Sequence, residues 1–315
     1  MKQKIVIAIP IAILCIASIA FLIAKGWGSG RISERNIPEH EKIVNGIRKS
    51  LGNNAGEITV SFSSKRNFQS RMPEIVNEWM EDALEETASA NEGDYLKYQM
   101  GGYEMDADVV GEGKIYRHIV RIRPKYYSYR VYEEEVNEAV SKLIEELDLP
   151  EDATDYRKAS AIYYYVCDSV SYDRIHVKND HYFLRSTAYA ALIQKTATCQ
   201  GYSVLLYRLF REAGLDARIV TGRAKAPDKG LISLPDGTVI ETKEEDVFHA
   251  WNMVRVDGLY YYADATWDAG EEKKEFFLCG SEDCKDHDLS DEFKTKEFTA
   301  DYPIAKWSYS EVGNQ

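Results

Sequence analysis

Apolar residues are concentrated at the start of the chain. Twenty uncharged, mostly apolar residues run from Ile5 to Ala24, between Lys4 and Lys25. A helix of this length can span a hydrocarbon core of roughly 30 Å. The run predicts a transmembrane helix within residues 1–25 that serves as an uncleaved signal anchor, with a cleaved signal peptide as the alternative. The lysines before the run favour a cytoplasmic N-terminus and an exported body.

A small α+β domain is predicted next, over 57–149, after a linker at 26–56 that holds one short helix. The alternation of apolar residues in 58–62 is typical of a strand. The sequence from Pro73 has helical apolar spacing and the proline favoured in a first turn. Strand-like runs, with a hairpin break at Gly111–Gly113, follow at 94–100, 103–110, 114–122 and 126–132.

The remaining segment, 150–315, is predicted to be a separate domain. Thr154 can cap a helix in which Cys167 lies on the apolar face, so Cys167 is expected to be a buried core thiol. Cys199 differs, because it stands at the start of an apolar helix that reaches Gly214. A helix N-terminus lowers the pKa of a thiol and favours the thiolate. On this evidence alone, Cys199 is either a nucleophile or a small packed residue.

A hairpin signal supplies candidate partners for Cys199. Asp257-Gly258 is typical of a two-residue turn. Counting outward from it, Trp251 lies opposite Asp264 and His249 opposite residue 266. His249 and Asp264 then become diagonal neighbours on one sheet face, within side-chain reach. A thiol nucleophile needs a base and a group that orients the base, and these two residues fit those roles.

Charge and cysteine content exclude several classes of function. The net charge of −13 argues against nucleic acid as a partner, because phosphate binding needs a basic face. Five cysteines are too few for a disulfide scaffold, although Cys279 and Cys284 could pair in an oxidising compartment. Their spacing with His287 fits no common zinc finger. We therefore expect no metal and no cofactor.

Two blocks of the sequence resemble the transglutaminase-like superfamily, particularly its bacterial exported members. They are "TCQGYSVLLYRLFREAGLDARIVTGRA" and "HAWNMVRVDGLYYYADATWD". The resemblance covers roughly 150–290. It implies a papain-like α+β core in which the cysteine-bearing helix packs on an antiparallel sheet that carries the histidine and aspartate.

The resemblance also implies roles for individual residues. Cys199 would be the nucleophile, His249 the general base and acid, and Asp264 the residue that orients the imidazole. The Cys199 backbone N–H would bind the oxyanion together with an upstream donor, for which Tyr172 in "VSYD" is the candidate; a core tyrosine is the other interpretation. Such a triad attacks an amide carbonyl and forms a thioester, which water or an amine then resolves.

We therefore expect a single-pass membrane protein with an extracellular catalytic body, or a secreted enzyme if the signal is cleaved. Its partners would be a protein or peptide substrate, including cell-wall material, with hydrolysis ahead of transamidation because water is always available. The alternative is a non-catalytic surface module that binds protein or cell wall and keeps the triad for structure. The segment 223–248, with Asp236-Gly237 as a second turn, is expected to form a flap beside the cleft.

Overall fold

The computed structural model describes residues 39–111, 113–150, 152–226, 231–233, 238–241 and 245–310. The run from Ile5 to Ala24 lies outside these ranges. Among the helices within them, none is long and apolar enough to cross a membrane. The chain divides into two units between Arg130 and Val131.

The first unit contains a three-stranded antiparallel sheet in the order β1-β3-β2. The alternating residues Ile58, Val60 and Phe62 are buried, as the strand pattern predicts. The helix that begins beside Pro73 buries Trp79 on its apolar face. The elements are α1 (His40–Gly52), β1 (Ile58–Ser64), α2 (Met72–Ala83), α3 (Asp94–Lys97), β2 (Met100–Val110) and β3 (Tyr116–Tyr126).

Two segments of the first unit differ from their prediction. Residues 94–100 begin as the short helix α3 rather than a strand, because the Glu86 carboxylate accepts the N–H of Asp94 at 2.7 Å and holds the helix start. Within the predicted linker 26–56, α1 packs its apolar face into the core of this unit. Helix α1 is therefore part of the folded unit, since its apolar residues pack into that core.

The second unit begins earlier than the predicted boundary at 149/150. The run 126–132 leaves β3 at Tyr126 and starts helix α4 at Arg130, so it is not one strand. The ring of Tyr132 in α4 stacks on Tyr189 at 4.2 Å, which ties α4 to this second unit. The boundary thus falls before α4 rather than after it.

The second unit is a layered α+β fold around a five-stranded sheet in the order β11-β10-β9-β6-β12. A short parallel pair, β4-β5, precedes the central helix α7. The helices are α4 (Arg130–Glu146), α5 (Asp155–Ser169), α6 (Ala188–Leu192), α7 (Cys199–Glu212), α8 (Ala265–Asp268) and α9 (Lys296–Asp301). The strands are β4 (Ser171–Tyr172), β5 (Thr196–Ala197), β6 (Ala217–Ala226), β7 (Leu231–Ser233), β8 (Val239–Glu241), β9 (Glu245–Val256), β10 (Leu259–Ala263), β11 (Phe277–Cys279) and β12 (His287–Leu289).

The β9–β10 hairpin has the predicted register as far as β10 extends. Val256 lies opposite Leu259, and Asn252 opposite Ala263. Asp257 and Gly258 both have positive φ, at 50° and 90°, as a two-residue turn of this type requires. Strand pairing ends at Ala263, because the next residue caps helix α8. The expected pairing of His249 with residue 266 is therefore replaced by a helical turn.

The predicted flap is described in part. Strands β7 and β8 pair antiparallel, with Leu231 opposite Glu241 and Ser233 opposite Val239. They lie in the connection between β6 and β9. Asp236-Gly237, expected at the turn, lies outside the described residues.

Candidate active site

Packing, rather than a side-chain cap, fixes the start of the helix that carries Cys199. Thr198 occupies the N-cap position, but its hydroxyl donates to the Arg185 carbonyl at 3.4 Å and makes no capping bond. A Cβ at Gly201 would lie 2.7 Å from the Ala197 Cβ, which is closer than side chains approach. Glycine is therefore needed there, because the first turn of α7 packs closely against the chain that precedes it.

Hydrogen bonds hold α7 against the elements around it. The Asn252 side chain on β9 donates its Nδ2–H to the Ser203 carbonyl at 3.0 Å. The Tyr202 hydroxyl donates to the Val170 carbonyl at 2.6 Å, at the end of α5. The helix is thus fixed against both β9 and α5, which sets the position of the Cys199 sulfur relative to the sheet.

His249 and Asp264 meet as hairpin parity predicted. Nε2 of His249 lies 2.6 Å from Oδ2 of Asp264, and the two residues are 3% and 2% exposed. The other carboxylate oxygen, Oδ1, accepts the Thr266 N–H at 3.0 Å. Trp267 stacks on the imidazole, with ring centroids 4.6 Å apart and planes at 17°. The ring is therefore held on one side by the carboxylate and across its face by the indole.

Cys199 is hydrogen-bonded to His249 and also receives the Ala250 backbone N–H. Because Nε2 of His249 faces Asp264, the thiol bond leaves Nδ1 as the nitrogen turned toward Cys199. The thiol is partly exposed, whereas His249 and Asp264 are buried.

The electrostatics of the site favour a thiolate–imidazolium pair. Burial raises the pKa of the Cys199 thiol, but the hydrogen bond and charge of His249 outweigh it, so the pKa lies below its ordinary value. Burial lowers the pKa of His249, yet the Asp264 carboxylate and the Cys199 sulfur raise it to about 10. Burial also disfavours ionised Asp264, but His249 and its other donors hold the pKa of this carboxyl well below its usual range.

Tyr172, the candidate oxyanion donor, lies close to the sulfur. It forms β4 with Ser171 and pairs with Ala197, two residues before Cys199. Burial, and next the negative charge of the Cys199 thiolate, raise the pKa of its phenol well above the ordinary value. The hydroxyl therefore stays protonated and can donate a hydrogen bond. This placement suits the oxyanion role without assigning it.

Two further side chains belong to the site although no nearby sequence pattern predicts them there. His287 places Nε2 3.1 Å from Oδ2 of Asp264, and its side chain is fully buried. Asp268 accepts the Tyr163 hydroxyl at 2.6 Å and the N–H of Phe276 at 3.0 Å, which fixes the end of α8. Both contacts join distant parts of the chain, so sequence spacing does not reveal them.

His249, Asp264 and His287 also form a donor set of the kind that can hold a metal ion. Their candidate ligand atoms lie within 4.8 Å of one another. Both Nε2 atoms, however, are hydrogen-bonded to the same carboxylate oxygen. A metal would need the lone pairs that these bonds occupy, so the arrangement fits a hydrogen-bonded network better than a metal centre.

Cys279 and Cys284 form a disulfide, with Cα atoms 5.9 Å apart. The sequence had left this pairing open, and a zinc site built from these cysteines is incompatible with it. The bridge joins the end of β11 to the loop that leads into β12. It therefore lies beside the strand that carries His287.

Comparisons with known proteins relate this part of the chain to one superfamily. Residues 143–265 match the family model of the transglutaminase-like superfamily. Kyphoscoliosis peptidase from Mus musculus is 29% identical over 139 residues, which are 43% of this chain and 18% of the mouse protein. The Homo sapiens protein is 28% identical over 138 residues, with the same two shares. The chain thus matches less than a fifth of the length of these relatives.

Two solved structures are also similar. A TGase crystal structure is 18% identical and aligns with a TM-score of 0.35, covering 82% of this chain and 60% of that one. A candidate cysteine protease from Cytophaga hutchinsonii is 13% identical with a TM-score of 0.28, covering 53% of this chain and 65% of that one. The family match includes Cys199, His249 and Asp264. Residues 143–265 are thus similar to the transglutaminase-like superfamily.

Proposed function

We propose that this protein is a thiol-dependent acyl-transfer enzyme that acts on a protein or peptide amide. The observation that carries the proposal is the linkage of a partly exposed thiol to a buried imidazole, which is in turn 2.6 Å from a buried carboxylate. A thiol, a base and an orienting acid are the parts that nucleophilic catalysis requires. The family match is consistent with this chemistry.

In the proposed reaction, Cys199 reacts as thiolate beside protonated His249. The sulfur attacks the amide carbonyl, and the oxyanion accepts hydrogen bonds from the Cys199 N–H and Tyr172. His249 gives its proton to the leaving amine as the C–N bond breaks, which yields a thioester and a neutral imidazole. His249 then takes a proton from the incoming water or amine, and the thioester breaks to release product and restore the thiolate.

We favour water over an amine as the acceptor. The mouse and human relatives are each named a peptidase, although only 18% of their length is matched. Water also needs no binding site of its own. The superfamily resemblance keeps transamidation as the second outcome of the same thioester.

We further propose that the enzyme body is exported. The Cys279–Cys284 disulfide supports this, because such bonds persist in oxidising compartments and are rare in the cytosol. The apolar run at 5–24 would supply the signal. Protease treatment of intact cells tests the proposal: an exported body is digested, whereas a body that survives until the cells are lysed lies inside.

An acyl-trapping experiment tests the reaction itself. The full chain is incubated with an unstructured protein such as casein and with a fluorescent primary amine, and both peptide release and amine incorporation are followed. Peptide release that disappears in Cys199→Ala supports hydrolysis, and incorporation that disappears supports transamidation. Cys167→Ala is the matched control and should retain activity. Either activity persisting in Cys199→Ala would exclude this thiol as its source.

A further inference from the structure

His287 reaches the site from the edge of the sheet. In β12 it lies opposite Ala224 of β6, while Leu289 lies opposite Gly222. Gly222 in turn lies opposite His249 on β9. Residues directly opposite each other share a sheet face, so His287 and His249 project from the same face with one strand between them. Their ring centroids are 6.0 Å apart.

Small residues on the intervening strand allow this approach. Ala224 and Gly222 add little bulk between the two histidines. A Cβ at Gly222 would lie 2.0 Å from the Asp288 carbonyl oxygen, so β12 can approach β6 this closely only over glycine. The His287 N–H donates to the Cys284 carbonyl at 3.0 Å, beside the disulfide. Strand β12 is thus held by its close packing on β6 and by the hydrogen bond at its first residue, His287.

The surroundings of His287 determine which nitrogen carries its proton. The ring lies in an aromatic cage, with Trp267 at 4.6 Å, Trp251 at 4.9 Å and Phe276 at 5.4 Å between centroids. In the described part of the chain, its buried Nδ1 has no hydrogen-bond partner. Nε2 faces the Asp264 carboxylate. Nε2 therefore carries a proton and donates it to Asp264, because a carboxylate can only accept.

Asp264 consequently accepts three donors from three elements. His249 on β9 and His287 on β12 both reach Oδ2, and the Thr266 N–H in α8 reaches Oδ1. A carboxylate held by three such bonds is fixed in rotation and remains ionised. The other titratable groups that interact electrostatically with it are Cys199, Cys167, Tyr163, Tyr202 and Asp268.

We propose that His287 is a positioning residue of the thiol site, which donates its Nε2–H to Asp264 and so fixes the carboxylate that holds His249. The inference rests on the proposed thiol chemistry of Cys199. His287 lies outside the matched residues 143–265, so the family match does not assign it a role. Its hydrogen bond within the site is to Asp264, and it therefore acts on His249 and Cys199 through that carboxylate.

Loss of this donor acts on Cys199 through His249. Without the His287 bond, the carboxylate can turn away from His249, which weakens the imidazolium beside Cys199. The thiolate then forms at higher pH. Thiolate formation therefore reports the positioning role, whereas a purely structural role would change stability alone.

The pH profile of Cys199 alkylation by iodoacetamide, mapped by mass spectrometry in the full chain, tests this role. His287→Phe keeps an aromatic ring in the cage and removes the donor. We expect its midpoint to move to higher pH, with alkylation at pH 7 slower by about threefold to tenfold, the scale of one lost hydrogen bond. His287→Gln retains an N–H donor and should recover most of the rate.

Leu289→Ala is the matched control, because it loosens the same strand without removing the donor. It should lower the melting temperature and leave the midpoint unchanged. A wild-type midpoint in folded His287→Phe, or an equal shift in Leu289→Ala, would overturn the proposal. If the wild-type Cys199 reacts no faster than an ordinary thiol, the proposed function fails instead.

Histidine 15N NMR of the unmodified protein gives a second measurement that needs no variant. The spectrum should show that Nε2 of His287 carries a proton. An Nε2 without a proton would contradict the proposed donor even if His287→Phe does not fold. The NMR result does not depend on the reactivity of Cys199. A failure of the positioning role can therefore be distinguished from a failure of the proposed thiol chemistry.

Discussion

Cys199 and Cys167 are two free thiols in helices of the same unit, and their surroundings push them in opposite directions. Cys199 begins its helix and is bonded to His249, which holds its pKa below the ordinary value despite burial. Cys167 lies in the last turn of α5 and is 1% exposed, with its sulfur 3.8 Å from the Ala265 carbonyl. Burial, and next the Asp268 carboxylate, raise the pKa of Cys167 far above that value.

The difference shows that removal from water does not by itself make a thiol inert. Burial disfavours the thiolate at both positions, and the charge of the nearest partner decides the outcome. His249 favours the thiolate at Cys199, whereas the charge of Asp268 is the largest one acting on Cys167 and disfavours it. Changing those partners should therefore bring the pKa values of the two thiols closer together.

The largest effect is expected from His249→Ala. This change removes the cation that offsets the effect of burial on Cys199, so the pKa of the thiol should rise. Alkylation of Cys199 at pH 7 should slow on the order of 10- to 1,000-fold, the range for a lost adjacent opposite charge. Competitive labelling followed by peptide mapping gives the ratio, with the slow rate of Cys167 as the internal reference. An unchanged labelling rate of Cys199 would show that its reactivity does not depend on His249.

Asp268→Asn changes the surroundings of Cys167 instead of those of Cys199. The buried Asp268 carboxylate accepts the Tyr163 hydroxyl and two backbone N–H groups, so an amide should destabilise the fold by about 1–3 kcal/mol. The pKa of Cys167 should fall toward its ordinary value, since one source of negative charge is gone. Urea unfolding and thiol labelling measure the two effects. Cys199 labelling should not change, and a matching change there would mean that the two sites are not independent.

Cys279→Ser with Cys284→Ser should have a smaller effect on stability. The bridge closes a short loop, with a sequence separation of 5, and the loop-entropy relation gives about 2 kcal/mol for its removal. The loss should also loosen β12, so Cys199 alkylation should slow slightly while Cys167 stays unreactive. Urea unfolding with and without reductant measures the stability. Equal stability of the oxidised and reduced wild type would show that the bridge contributes nothing to the fold.

A further expected effect is a pH dependence of stability that belongs to the Cys199 site. The pKa of His249 is raised to about 10 in the folded protein, above roughly 6.5 for an unfolded histidine. The stabilisation is therefore fully present below about pH 6.5 and is lost as pH rises toward 10. His249→Gln should flatten this decline in urea midpoints, and His118→Gln, in the first unit, should not. Parallel declines in wild type and His249→Gln would contradict the assignment.

Much of the Cys199 site could be predicted because its parts are coded locally. The Asp257-Gly258 turn fixes the hairpin register, and the register brings His249 to Asp264. Cys199 is marked by the start of an apolar helix. The prediction failed beyond Ala263, where Asp264 caps a helical turn instead of continuing the strand. A short cap bond outcompeted strand continuation there.

The contribution of His287 could not be predicted, for a physical reason. It depends on the pairing of β12 with β6, a three-residue strand joined to a distant one. So short a strand has no periodicity to detect, and nothing local shows that Gly222 leaves room for it. The same limit hid α3, whose first N–H is held by the distant Glu86 carboxylate rather than by its own sequence.

The central claim is that Cys199 is an activated thiol and Cys167 is not. The most direct measurement is the rate of iodoacetamide labelling of each cysteine in the native wild-type protein between pH 5 and pH 10, with the denatured chain as the reference for an ordinary thiol. Cys199 should label with a midpoint below that of the denatured chain, while Cys167 stays protected throughout. Equal midpoints for Cys199 in the native and denatured protein would contradict the claim.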